Sequence, residues 1–162
     1  MNFLANRQVM IISMISTLIM AFIVMVIVDP LIDGKDGFSV IALQLSFDKE
    51  IGKEIVSSWN IEAFNRWIIM DYLYALSYMI FFVSFLLWLE KIKNLPSTIV
   101  PYIAIGAGVF DWIEDSLELL FLNNIEAFSS TLFFIHSIFA TLKWLALPII
   151  IGTIIKYYRV KG

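Results

Sequence analysis

Four carboxylates, Asp111, Glu114, Asp115 and Glu118, interrupt a stretch that is otherwise almost wholly apolar. Their offsets of i, i+3, i+4 and i+7 place them within an arc of about 100° on a helix, as a single acidic stripe. A charged side chain at membrane depth costs roughly 3 kcal/mol unless it pairs or meets water. The stripe therefore needs partners, and few are on offer. His136, the sole histidine, and Lys143 stand seven residues apart and share a face of the following apolar segment; Asp71, Tyr74 and Tyr78 share a face of the preceding one. Three segments each bring one polar face, and these faces are expected to converge.

Such a set can do three kinds of work. It can hold a cation, a proton or an amine-bearing lipophile. Paired carboxylates can act as acid and base on a lipid or isoprenoid substrate in a membrane-embedded enzyme. The charges can also pair with a partner subunit of a membrane complex. Binding is the reading preferred here, with Asp71, Tyr74, Tyr78, Asp111, Glu114, Asp115, Glu118, His136 and Lys143 as the candidate ligand-binding residues and no catalytic residue assigned. Acids outnumber bases in this group, so some carboxyls are expected to hold a proton or to be neutralised by a bound cation. No metal or cofactor is assigned: with one histidine and no cysteine, zinc would need carboxylates for its remaining ligands.

The elements that must position these residues are apolar segments of membrane-spanning length. Residues 9–28 are uncharged and long enough to cross a hydrocarbon core of about 30 Å. Arg7 precedes them as in a signal peptide, but the apolar core is too long and no small-residue cleavage site follows, so an uncleaved anchor is expected, ended by Asp29-Pro30. Further spans are expected at about 67–89, 98–122 and 131–155. Ser97 is read as an N-cap and Pro101 as a tolerated first-turn proline. The short connections favour antiparallel neighbours. The expected fold is all-α, an integral membrane four-helix bundle in a single domain over residues 1–162.

Arg7, Lys91, Lys93, Lys156, Arg159 and Lys161 fall on one side of four spans. Lys and Arg concentrate on cytoplasmic flanks, so a multi-pass protein of the cell membrane with cytoplasmic termini is expected. The loop over about 30–66 is rich in acids, among them Asp33, Asp36, Asp48, Glu50, Glu54 and Glu62, and belongs outside. Within it, Leu43, Leu45 and Phe47 alternate as a short strand does. Phe47, Ile51, Ile55 and Trp59 recur every four residues, as on an amphipathic helix, which is read as resting at the bilayer interface in preference to lidding the bundle. Asn60 reads as the N-cap of the second long helix. Trp59, Trp67, Trp88 and Trp112 are read as interface anchors or core.

Rise per residue sets the depths. Asp111 lies about 16 Å and Lys143 about 18 Å below the outer ends of their helices, so the two are level near the midplane. Asp115, Glu118, His136 and Asp71 form a second layer at roughly 6 to 10 Å. Pro148 leaves the carbonyl of Trp144 without its helical donor. Ala104 and Gly108, near the acidic face, allow a neighbouring helix to approach closely.

Composition agrees with this picture. Of the 162 residues 60% are hydrophobic and 15% are charged, against about 25% charged in ordinary soluble domains. Mean hydropathy is +0.88. The absence of cysteine excludes disulfide scaffolding and thiol chemistry. A net charge of −3 with no basic stripe argues against nucleic acid as a partner; the expected partners are the lipid bilayer, a small lipophilic ligand or cation, and a membrane partner subunit.

Ser57-Ser58-Trp59 ahead of a span led by Asp71 and bearing Tyr78, the run from Phe110 through Asp111 and Glu114 to Asp115, and Lys143-Trp144 together resemble a family of small four-span prokaryotic integral membrane proteins with no assigned function. The resemblance covers about residues 47–144 and implies the four-span fold. Asp115 stands where that pattern has Asn, so the resemblance assigns this position no role.

Overall fold

The computed structural model describes residues 3–32 and 39–160. Asp33, Asp36 and Lys161, which enter the loop and orientation readings, lie outside the described residues. Among the described residues the chain is all-helical, without a strand. Among the described residues three helices are long and apolar enough to cross a membrane: Arg7–Ile32, Ile61–Ile92 and Ser130–Arg159.

The first of these is composite. α1 (Arg7–Phe22) runs through a π-helical turn (Ile23–Val28) into α2 (Asp29–Ile32). Asn6 caps the start, its Oδ1 accepting from Gln8 N at 2.8 Å. The stop expected at Asp29-Pro30 is not one. Proline lacks an N–H and its ring crowds the carbonyl four residues back. The π turn immediately before Pro30, with Asp29 N donating to Val24 O five residues back, widens the helix there and carries it to Ile32.

α5 (Ile61–Ile92) begins where Asn60 caps it, as expected, with Asn60 Oδ1 accepting from Ala63 N at 3.0 Å. It starts before residue 67 because its polar first turns are helical as well, with Arg66 reaching back to Glu62 at 2.8 Å. α6 (Val100–Asn123) has Pro101 in its first turn, but Ser97 is not its cap. The corner is organised by Glu90 of α5, whose Oε1 accepts from Thr98 N at 3.1 Å and from Thr98 Oγ1 at 2.9 Å. α7 (Ser130–Arg159) is capped by Ser129 Oγ, which accepts from Thr131 N at 3.2 Å.

α1 packs along α5, α5 along α6, and α6 along α7, whereas α1 and α7 do not pack along one another. Two apolar cores result. One, toward the connection between the first two long helices, gathers Ile32, Leu43, Trp59, Phe64, Phe121 and Phe133; the other, toward the termini, gathers Ala75, Leu86, Leu89, Ala104, Ala107 and Ile150. The predicted close approach is present between α5 and α6: Ala104 is fully buried, and a Cβ on Gly108 would sit 3.0 Å from Met79 Cβ. α1 buries only Met10 and Ser13 and turns Ile12, Leu18 and Phe22 outward, more apolar surface than a water-facing helix carries.

The segment between the first two long helices differs from expectation. Of the residues read as a strand, Leu43 lies in α3 (Ser39–Gln44), with Leu43 and Gln44 inward, while Leu45 and Phe47 follow the helix in non-helical, exposed positions; an apolar run this short does not separate a period of 2 from one of 3.6. In α4 (Lys49–Val56) the inward residues are Gly52 and Val56, followed by Trp59, while Phe47 and Ile51 face out. Gly52 lies on the Phe133 ring so closely that a Cβ there would run into it. Asn60 N donates to Ile32 O at 2.8 Å, closing the loop at its base. Phe47, at a φ of 55°, donates its N–H to Ser137 Oγ at 3.2 Å. The described part of the segment, residues 39–60, therefore packs against α7.

Candidate functional site

The inward stripe of α6 runs from Ala104 through all four carboxylates to Phe121. Asp111, Glu114, Asp115 and Glu118 are all buried, and they lie between the two apolar cores. The same 3.6-residue period that exposes Tyr102, Ile105, Val109 and Leu120 turns the acids inward.

Lys143 Nζ donates to Asp111 Oδ1 at 2.5 Å and to Glu114 Oε2 at 2.7 Å. The expected pairing of Lys143 with Asp111 is formed, and Glu114 joins it. Tyr78 OH donates to Asp111 Oδ2 at 2.8 Å, so both oxygens of Asp111 are engaged. Glu114, with no exposed surface, turns Oε1 toward His136 Nε2 at 3.3 Å; that nitrogen lies 3.7 Å from Glu118 Oε2. Glu114 thus bridges two levels that helical arithmetic kept apart.

The expected upper layer divides. Glu118 and His136 gather with Glu114 on the α7 side. Asp71 and Asp115 line a cavity between α1 and the other helices, as do Tyr74 and Tyr78, whose rings meet edge to face at 5.5 Å. Asp115 is 5% exposed, and its Oδ2 has no hydrogen-bond partner among the described residues. An unsatisfied acceptor buried this deeply is costly and rare.

Two polar residues of the site were not singled out in the sequence. Gln44 of α3 reaches into the bundle, donating from Nε2 to Glu114 Oε2 at 3.3 Å and accepting from Trp144 Nε1 at 3.0 Å. A lone amide between Leu43 and Leu45 was the one signal available. Asp29 lines the cavity from α2, where the helix was expected to have ended. Among the tryptophans, Trp59 is core and Trp112 ties α6 to α5 by donating to Tyr72 O at 3.0 Å.

The cavity holds about 520 Å³, within the range of small-molecule sites. Its walls are apolar, from Val24, Ile41, Phe64, Phe81 and Leu147, and its acids are Asp29, Asp71, Asp111, Asp115 and Glu118. Lys143 is the one base among the residues that line it. The arrangement suits a guest with an apolar body and a cationic head: the acids supply charge-assisted acceptors, and the walls favour an apolar body. Comparison with protein-family models, with curated proteins and with solved structures finds no match for this chain.

Proposed function

We propose that the chain is a four-span integral membrane protein with cytoplasmic termini, whose cavity binds an amine-bearing lipophile entering from the lipid between α1 and α7. The observation that carries the reading is Asp115 Oδ2, buried without a partner among the described residues in the wall of a largely apolar cavity. An ammonium head at this carboxylate would supply the missing donor and offset the excess of acids around Lys143.

The span count is supported by where the charges of α6 point. At 24 residues α6 extends about 36 Å, and its four carboxylates, which set it apart from the three more apolar long helices, all face inward. The resemblance to small four-span prokaryotic proteins agrees with that count. Orientation is supported by Arg7, Lys91, Lys93, Lys156 and Arg159 gathering at one end, against an opposite end where Lys53 and Arg66 are paired with Glu126 and Glu62.

The test is binding of a dansyl-labelled long-chain primary alkylamine to the protein in nanodiscs, with the alcohol of equal chain length as neutral control. The amine is expected to bind and the alcohol not to, and Asp71→Asn with Asp115→Asn is expected to weaken the amine about 10-fold or more, about 1.4 kcal/mol. Equal binding of amine and alcohol, or undiminished binding by the double variant, overturns the reading.

A further inference from the structure

At the edge of the cavity, which Glu118 lines, three side chains converge without satisfying one another. His136 is 2% exposed, yet neither ring nitrogen has a hydrogen-bond partner among the described residues, and Glu114 Oε1 is equally unpartnered. Buried imidazoles are nearly always hydrogen-bonded, and one that is not calls for an ion or a water. His136 Nε2 is aimed at the two carboxylates nonetheless, 3.3 Å from Glu114 Oε1 and 3.7 Å from Glu118 Oε2. Their ligand atoms all lie within 4.8 Å of one another.

Those separations are the edges of a coordination polyhedron. Bonds of 2.0–2.1 Å from zinc to nitrogen or oxygen put tetrahedral ligands about 3.3 Å apart; His136 Nε2 and Glu114 Oε1 are at that separation, and His136 Nε2 and Glu118 Oε2 are 0.4 Å wider. Glu114 is also held as a ligand should be. Lys143 Nζ and Gln44 Nε2 both donate to its Oε2, at 2.7 and 3.3 Å, which fixes the carboxylate plane and leaves Oε1 directed at His136. Outer contacts of this kind orient metal ligands. The charge fits as well: two carboxylates and a neutral imidazole make a neutral set with a dication, the form that a low-dielectric interior tolerates best.

We infer that Glu114 Oε1, Glu118 Oε2 and His136 Nε2 form a buried site for one divalent transition-metal ion of the zinc type, with a fourth position left open. One imidazole and two carboxylates favour zinc, iron or manganese over the thiolate-seeking metals. Glu118 lines the cavity as well, but the inference does not rest on the amine reading, because the residues that test that reading, Asp71 and Asp115, are not ligands.

The experiment strips the full-length protein with a chelator in mild detergent, loads it with zinc sulfate, desalts it and measures bound metal by mass spectrometry. Close to one equivalent of zinc per chain is expected. Glu118→Gln and His136→Gln are expected to weaken retention by more than the roughly 10- to 100-fold that follows loss of an outer-shell partner, while Tyr102→Phe, on the exposed face of α6, retains it. Because His136→Gln can disturb folding, X-ray absorption on the loaded wild-type protein supplies a second readout, with imidazole and oxygen scattering at about 2.0–2.1 Å expected. A wild-type protein that retains no zinc overturns the proposal and leaves His136 as the cationic centre of an ionic triad. Retention undiminished in both variants, or zinc without imidazole in its shell, overturns it equally. Since the amine test reads Asp71 and Asp115 alone, either proposal can fail without the other.

Discussion

Lys143 Nζ lies 2.7 Å from Glu114 Oε2, and neither side chain has appreciable contact with solvent. The ammonium also holds Asp111, so one base on α7 binds two acids on α6 in the middle of the bundle. Removing one member of such a group strands the others in an apolar interior, at a cost well above the net worth of the group.

Lys143→Met should therefore destabilise the protein by about 3–5 kcal/mol. Adding Asp111→Asn and Glu114→Gln to that variant should restore much of the loss, because the charges that lysine compensated are then gone. Melting temperature in detergent checks both; equal melting of the single and triple variants would contradict the pairing.

Gln44→Leu keeps approximate volume and removes the amide joining Glu114 to Trp144. About 1–3 kcal/mol should be lost locally, since one of the two hydrogen bonds involves a charged group. Hydrogen exchange should rise in α3 and α4 before it rises in α5 to α7. A uniform rise would indicate that α3 has no separate hold on the bundle.

Two glycines give opposite expectations. A methyl on Gly52 meets the buried Phe133 ring, whereas one on Gly152 meets nothing within 4 Å. Gly52→Ala should lift α4 from α7 and cost about 1–3 kcal/mol, the range for overpacking. Gly152→Ala should leave stability unchanged or raise it by up to about 1 kcal/mol. Parallel thermal melts decide, and Gly52→Ala behaving like Gly152→Ala would contradict the α4–α7 contact.

At the loop end, Lys53 Nζ lies 3.0 Å from Glu126 Oε2, and Lys49 Nζ donates to Glu126 O at 3.0 Å. The hydrogen bond from Lys53 holds the Glu126 carboxyl below the usual glutamate range, and the same bond holds Lys53 above the usual lysine range. A lowered carboxyl contributes above its unfolded pKa and loses that contribution as pH falls through its folded value; a raised lysine contributes below its unfolded pKa and loses it as pH rises through its folded value. The tie between α4 and the α6–α7 turn should thus hold at neutral pH and release only in acid below the glutamate range or in strong base. Glu126 is exposed and Lys53 partly so, and the effect should therefore be small and screened by salt. Exchange rates in α4 followed from neutral to acid pH, at low and high salt, test it; salt-independent behaviour would contradict it.

Much of the site was legible because it depends on local periodicity. The i, i+3, i+4, i+7 spacing of Asp111, Glu114, Asp115 and Glu118 dictates one face on any helix, and the apolar residues around them dictate that the face turns inward. Rise per residue sufficed to set Lys143 level with Asp111. Asn60 was readable as a cap because capping needs only a side chain and its next turn.

What the chain alone left undecided turns on rotation and on contacts distant in sequence. Periodicity placed Glu114 on the stripe but did not say that its two oxygens would divide between Lys143 and His136, because that depends on how α7 is rotated against α6. It sorted Asp71 and Asp115 with His136 by depth, whereas packing sends them to the cavity and leaves His136 facing Glu114 and Glu118. Gln44, far from Glu114 along the chain, belongs to the site only because α3 is folded back into the bundle, and the short apolar run around it carries no period strong enough to show that. The acidic stripe itself was determined by the sequence; which acid is paired, which is bare and which faces the histidine was decided by tertiary packing, since distance between side chains on separate helices is not a property of either helix.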